Sequence, residues 1–175
     1  MNNVAPNIPT PRYEALCRFL IMVAVVVWLG GFTFYAAVVI PTAHDVLGTH
    51  LEVGFITQQV THWLNLGGGL TMLALAANIW LLKRSGVSGL RPLVITWSIL
   101  VSSLIILLVL HPHLDIFLDG TEHEIAHRVD FYAWHRVYLI VATIQWCAAV
   151  VHLWYVLARW RLPAVSVTTR AHATT

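Results

Sequence analysis

Four long apolar runs decide what this chain can fold into: Phe19 to Ile40, roughly Trp63 to Leu82, Leu93 to Leu110, and roughly Val137 to Leu157. None contains Lys or Glu. A helix needs about 20 mostly apolar residues to cross the hydrocarbon core of a bilayer. Inside that core no water is present to hydrogen-bond the peptide groups, so each segment must satisfy its own. A soluble chain of 175 residues has nothing left over to bury four such helices. Charged residues make up 10% of the sequence, against about 25% in soluble domains. The first run exceeds the roughly 7 to 15 apolar residues of a cleaved signal peptide, so it reads as a retained span. The expected fold is all-α, an integral membrane four-helix bundle with up-down-up-down topology. Its membrane domain covers 12–162, with spans about 17–41, 58–82, 92–111 and 133–158, between disordered tails at 1–11 and 163–175.

Lys and Arg resist translocation and mark the cytoplasmic side. With four spans both termini share a side, and that side holds Arg12, Arg18, Lys83, Arg84, Arg91, Arg159, Arg161 and Arg170. Only Arg128 and Arg136 lie opposite, among seven of the eight acids. The expectation is a multi-pass protein of the cell inner (plasma) membrane with both termini cytoplasmic. The net charge of +2 is an orientation signal and points to no nucleic-acid partner. Trp80, Trp154 and Trp160 fall at inner ends, and Trp63, Tyr132 and Trp134 at outer ends, where interfacial rings belong. Pro41, Pro92 and Pro112 sit at expected helix boundaries. Thr121 and Glu124 form a T-x-x-E capping box that starts the fourth helix near Glu122. Gly30, Gly31, Gly67, Gly68 and Gly69 are small enough for close helix contacts. Cys17 and Cys147 have no metal-type spacing and read as small apolar packing residues.

Histidines carry the main chemical signal. Of ten, eight lie at or beyond the outer end of the bundle: His44, His50, His62, His111, His113, His123, His127 and His135. On the second span Gln58, His62, Asn65 and Gly69 fall on one helical face, and on the fourth His135, Tyr138, Ala142, Gln145, Ala149 and His152 do. Ionisable residues in spans usually face the bundle interior. His62 and His135 are therefore expected to meet at one depth, with His111 nearby. Metal-ligand candidates are His62, His111, His113, His135, Asp115, His44 and Asp45, since imidazole with carboxylate suits zinc, copper or iron. A single b-type haem is the sharper variant, with His62 and His135 as opposed imidazoles, Tyr138 in the same site and Arg136 pairing a propionate.

The first span reads Trp28-Leu-Gly-Gly-Phe-Thr-Phe-Tyr-Ala-Ala-Val-Val-Ile-Pro41. This resembles the W-x-G-G…P opening of small bacterial four-helix membrane proteins, among them an uncharacterised family and the copper-resistance D-like proteins. The resemblance implies the four-helix architecture and a copper-linked role on the outer side. His123-Glu124-Ile125-Ala126-His127 matches the zinc-protease pattern H-E-x-x-H. The third ligand of the extended pattern is absent, since position 133 is Ala, so a chance match and no catalytic residue are expected. The functional expectation is a binding or redox module with a transition metal ion or haem b at its outer face. The alternatives are a ligand-free structural or assembly subunit and a small transporter. Beyond the lipid bilayer, its expected partners are other membrane subunits or further copies of itself.

Overall fold

Each apolar run forms the middle of a long helix. The computed structural model describes residues 11–119, 124–125 and 128–160, and beyond residue 11 the expected tails lie outside them. Helix α1 (Pro11–Phe34) passes through a π-helical turn (Tyr35–Val39) directly into α2 (Ile40–Leu47). Helices α3 (His50–Arg84), α4 (Arg91–Asp115) and α5 (Arg128–Trp160) follow. Between α4 and α5, β1 (Leu118–Asp119) and β2 (Glu124–Ile125) pair antiparallel. Four stretches are long and apolar enough to cross a membrane: Ala15–Leu47, Leu51–Arg84, Arg91–Asp115 and Val129–Trp160. Large apolar side chains along them face outward, among them Phe19, Val27, Leu73, Val109 and Trp154. So large an exposed apolar surface marks a membrane or protein interface rather than a water-facing one.

Neighbouring helices run antiparallel, and specific contacts fix their registers. Trp28 on α1 donates its indole N–H to the Leu64 carbonyl of α3 at 3.0 Å. The Trp97 indole of α4 donates to the Met72 carbonyl of α3 at 3.0 Å. Thr96 of α4 and His152 of α5 are hydrogen-bonded at 2.7 Å. At the far end the Arg159 guanidinium donates to the Ser88 carbonyl at 2.8 Å and also to the Gly89 carbonyl, tying α5 to the loop between α3 and α4. Ile21, Val25, Trp28, Leu75, Leu100 and Leu104 form the central core. Leu82, Leu93 and Val156 close the basic end, where Lys83, Arg84, Arg91 and Arg159 lie.

Several boundaries differ from expectation, each for a local reason. Pro41 does not end the first helix. Proline has no N–H and its ring collides with the carbonyl four residues back. The chain absorbs both problems by shifting into π spacing one turn earlier, with the Ile40 N–H bonded to the Tyr35 carbonyl. The real stop is Gly48, at φ +69°, where a residue without Cβ is favoured. Pro112 likewise lies inside α4, which continues to Asp115. The fourth long helix begins at Arg128 rather than near Glu122, because Glu124 is taken up in the ladder opposite Asp119. A threonine N-cap does form elsewhere: Thr49 Oγ1 accepts from the Glu52 N–H at 3.4 Å and donates to Glu52 Oε2 at 2.9 Å, starting α3. Of the glycines, Gly67 and Gly68 lie against Trp28, while Gly30, Gly31 and Gly69 have open space where a Cβ would stand. Cys147 is exposed rather than packed, and Cys17 is half-buried.

Candidate functional site

At the acidic end, where Asp45, Glu52 and Asp115 lie, the four long helices enclose a cavity of about 450 Å³. Its walls are mainly apolar and aromatic, with Phe32 from α1, Leu64 from α3, Leu114 from α4, and Phe131 and Leu139 from α5. Polar groups converge on it from three elements: Tyr35 from the π turn, Thr57, Gln58, Thr61 and Asn65 from α3, and Tyr138 from α5. Nearer the end of the bundle it is lined by His44, His111, Asp115 and His135.

Helix geometry explains the polar floor. Thr61 and Asn65 are one turn apart on the inward face of α3 and are both buried. The Tyr35 hydroxyl lies close to Thr57 and Thr61, and the Tyr138 hydroxyl beside Asn65. Even so, the buried Tyr35 hydroxyl and Asn65 Nδ2 have no hydrogen-bond partner of normal geometry among the described residues. Asn65 is only 7% exposed. Thr57 gives its own hydroxyl to the Val53 carbonyl at 2.7 Å, which leaves its lone pairs, not its proton, toward the cavity.

The expected site residues divide in two. His44, His111, Asp115, His135 and Tyr138 line the cavity. His111 Nδ1 is 3.8 Å from Asp115 Oδ1, one helical turn away. The His135 ring stacks on Phe131, with centroids 5.7 Å apart and planes 13° apart. The expected pairing of His62 with His135 does not form. His62 is exposed on the outward side of α3, its ring edge-on to Trp63 at 5.9 Å. The inward stripe centres on Thr61, and the next residue along a helix is rotated by about 100° from it. His113, Asp45 and Arg136 are also exposed and do not line the cavity. His113 instead lies edge-on to Phe117 and Trp134. Among the described residues no three His, Cys, Asp or Glu side chains are grouped to hold a metal ion. Of the zinc-protease match, Glu124 is on β2 and not on a helix, while His123 and His127 lie outside the described residues.

The inward face of α5 does carry the expected stripe. Ala142, Gln145, Ala149 and His152 are all buried. Toward the basic end His152 is 1% exposed, bonded through Nδ1 to Thr96, and its Nε2 has no partner among the described residues. Sequence reasoning missed Tyr35, Thr57 and Thr61 as cavity residues. The available signal was the run Thr57-Gln58, Thr61, Asn65, a polar stripe in an otherwise apolar helix. No known protein family, curated protein or solved structure matches the chain.

Proposed function

We propose that this chain is a multi-pass membrane protein of the cell inner membrane, with both termini cytoplasmic, that binds a small and largely apolar molecule in the outer half of its bundle. The proposal rests on Asn65. Its Nδ2 is buried at the cavity floor without a hydrogen-bond partner of normal geometry among the described residues. Leaving such a donor unsatisfied costs about 1–3 kcal/mol, which a ligand acceptor recovers. A few convergent polar groups inside apolar and aromatic walls is the usual construction of a small-molecule site. Orientation follows from the eight Lys and Arg at one end against two at the other.

The test is to purify the full chain in mild detergent, extract it with organic solvent and identify what co-purifies by mass spectrometry. A molecule present in stoichiometric amount and reduced about tenfold by Asn65→Leu is expected. Undiminished retention of every bound molecule by both Asn65→Leu and Tyr35→Phe would overturn the proposal. A second reading, a haem that His135 would ligate, is favoured by the place of His135 in the cavity wall beside Phe131. It requires a haem absorbance spectrum in the purified protein that His135→Ala abolishes.

A further inference from the structure

The polar stripe does not stop at the cavity floor. Ala142 is the last α5 residue to line the cavity, and Gln145 lies one turn beyond it on the same face. Gln145, His152 and Asn78 are each at most 3% exposed. Gln145 Nε2, His152 Nε2 and Asn78 Nδ2 have no hydrogen-bond partner among the described residues. These atoms fall in successive layers. The Thr96–His152 bond sets the register of antiparallel α4 and α5, and two turns along it the buried Ser103 comes level with Gln145. Tyr138 beside Asn65 sets the register of α3 and α5, which run the same way. Carried on, it brings Asn78 level with His152.

His152 Nε2 is an acceptor. Thr96 Oγ1 has one proton and three neighbours: the Pro92 carbonyl at 2.9 Å, the Leu93 carbonyl at 3.2 Å and His152 Nδ1 at 2.7 Å. Carbonyls only accept, so the threonine proton goes to them and Nδ1 donates to Thr96. The hydrogen-bond network thus assigns the Nδ1–H tautomer, with a bare lone pair on Nε2.

We propose that water enters the bundle at the cavity floor and runs past Gln145 and Ser103 to His152, forming a proton path that ends there. The amides of Gln145 and Asn78 need acceptors and His152 Nε2 needs a donor, and water supplies both. Buried waters make about three hydrogen bonds to otherwise unmatched groups of this kind. Gln145 and His152 are two turns, about 10 Å, apart along α5, too far for a direct bond. On this face the residues flanking Gln145 are Ala142 and Ala149, whose methyl groups extend little into the bundle. The route is shut at the other end: Leu82, Leu93 and Val156, each one turn beyond Asn78, Thr96 and His152, pack together. Entry is therefore from the cavity, whatever ligand occupies it. Among the described buried residues none is Lys, Arg, Asp or Glu, so His152 is the titratable group of the file. A hydrated proton arriving there is taken up on the Nε2 lone pair and leaves water behind, while Nδ1 keeps its proton and its bond to Thr96.

The test labels the full chain with nitrogen-15 at Asn, Gln and His, reconstitutes it in lipid bilayers and measures by solid-state NMR how fast water polarisation reaches each side chain. Gln145, Asn78 and His152 should receive it as fast as Asn65 at the cavity floor, and His152 should show a protonated Nδ1 and a bare Nε2. Gln145→Leu removes a hydrogen-bonding station, so it should slow transfer to His152 about tenfold and leave Asn65 unchanged. A dry His152 in the native chain overturns the proposal. So does undiminished transfer to His152 in Gln145→Leu, since water would then enter past Leu82, Leu93 and Val156. Gln145→Met, closer in shape, gives the same reading should the leucine variant fail to fold.

Discussion

Gly68 and Gly69 are neighbours in sequence and differ in what surrounds them. A Cβ built on Gly68 would stand 3.0 Å from Trp28 Nε1 and 3.3 Å from Trp28 Cε2, while one on Gly69 meets nothing within 4 Å. The Trp28 ring cannot retreat freely, because its N–H is bonded to the Leu64 carbonyl and the residue is 6% exposed. Gly68→Ala should therefore destabilise the bundle by about 1–3 kcal/mol, as overpacking does. Gly69→Ala should be neutral or gain up to about 1 kcal/mol from the better helix propensity of Ala. Reversible unfolding in mixed detergent micelles compares the two, and equal stabilities would show that Trp28 does not clamp α1 to α3. At this scale the sequence was only partly legible. A glycine triplet announces close approach but not which of the three makes it. Histidine was a misleading guide in the same helix: His62 drew attention to a stripe whose true centre is Thr61, a residue of no chemical distinction. His135 and Tyr138 were readable because their stripe continues through Gln145 and His152, long enough to define its direction.

Elements were legible in their middles and less so at their ends. Hydrophobic length fixed the four helices, since nothing else satisfies the backbone in lipid. Their ends depend on short-range competition that a motif alone does not decide. The pattern T-x-x-E occurs at Thr49–Glu52 and at Thr121–Glu124. The first caps α3, whereas in the second Glu124 pairs with Asp119 across a ladder. Pro41 is the other instructive end. It was expected to stop a helix, yet it produces the π turn from which Tyr35 reaches the cavity. Widening at this turn changes the angular position of every residue before it relative to those after it. Pro41→Ala restores an N–H at position 41 and removes the ring collision, so α1 and α2 should merge into a regular α-helix. Tyr35 then rotates relative to α2, and ligand retention in the purified protein should fall about as far as in Tyr35→Phe, with helix content by circular dichroism unchanged. Full retention in Pro41→Ala would mean that the π turn has another cause or that Tyr35 is not a ligand contact.

At the scale of the whole molecule, charge is segregated along the helix axes. Lys83, Arg84, Arg91 and Arg159 gather at one end, where Arg159 closes over the Ser88 and Gly89 carbonyls and Arg84 lies 5.3 Å from the Trp80 ring. The other end carries Asp45, Glu52, Asp115, Asp119 and Asp130. Placing one Lys or Arg at the centre of a membrane helix costs about 2.5–3.5 kcal/mol on insertion scales, and the proposed orientation accordingly holds the end with eight of the ten basic residues in the cytoplasm. The proposed site depends on this polarity, since it decides whether the cavity samples the outer or the cytoplasmic half of the bilayer. Truncation fusions after Ser88 and after Gly120 separate the two. A reporter active only outside the cytoplasm should be silent at Ser88 and active at Gly120, and a reporter active only inside should give the reverse. Moving basic residues should also move the topology: replacing Lys83, Arg84 and Arg91 with Gln should reduce the bias measurably, whereas Arg128→Gln and Arg136→Gln should strengthen it. If the Gly120 fusion instead reports a cytoplasmic position, the cavity faces the cytoplasm.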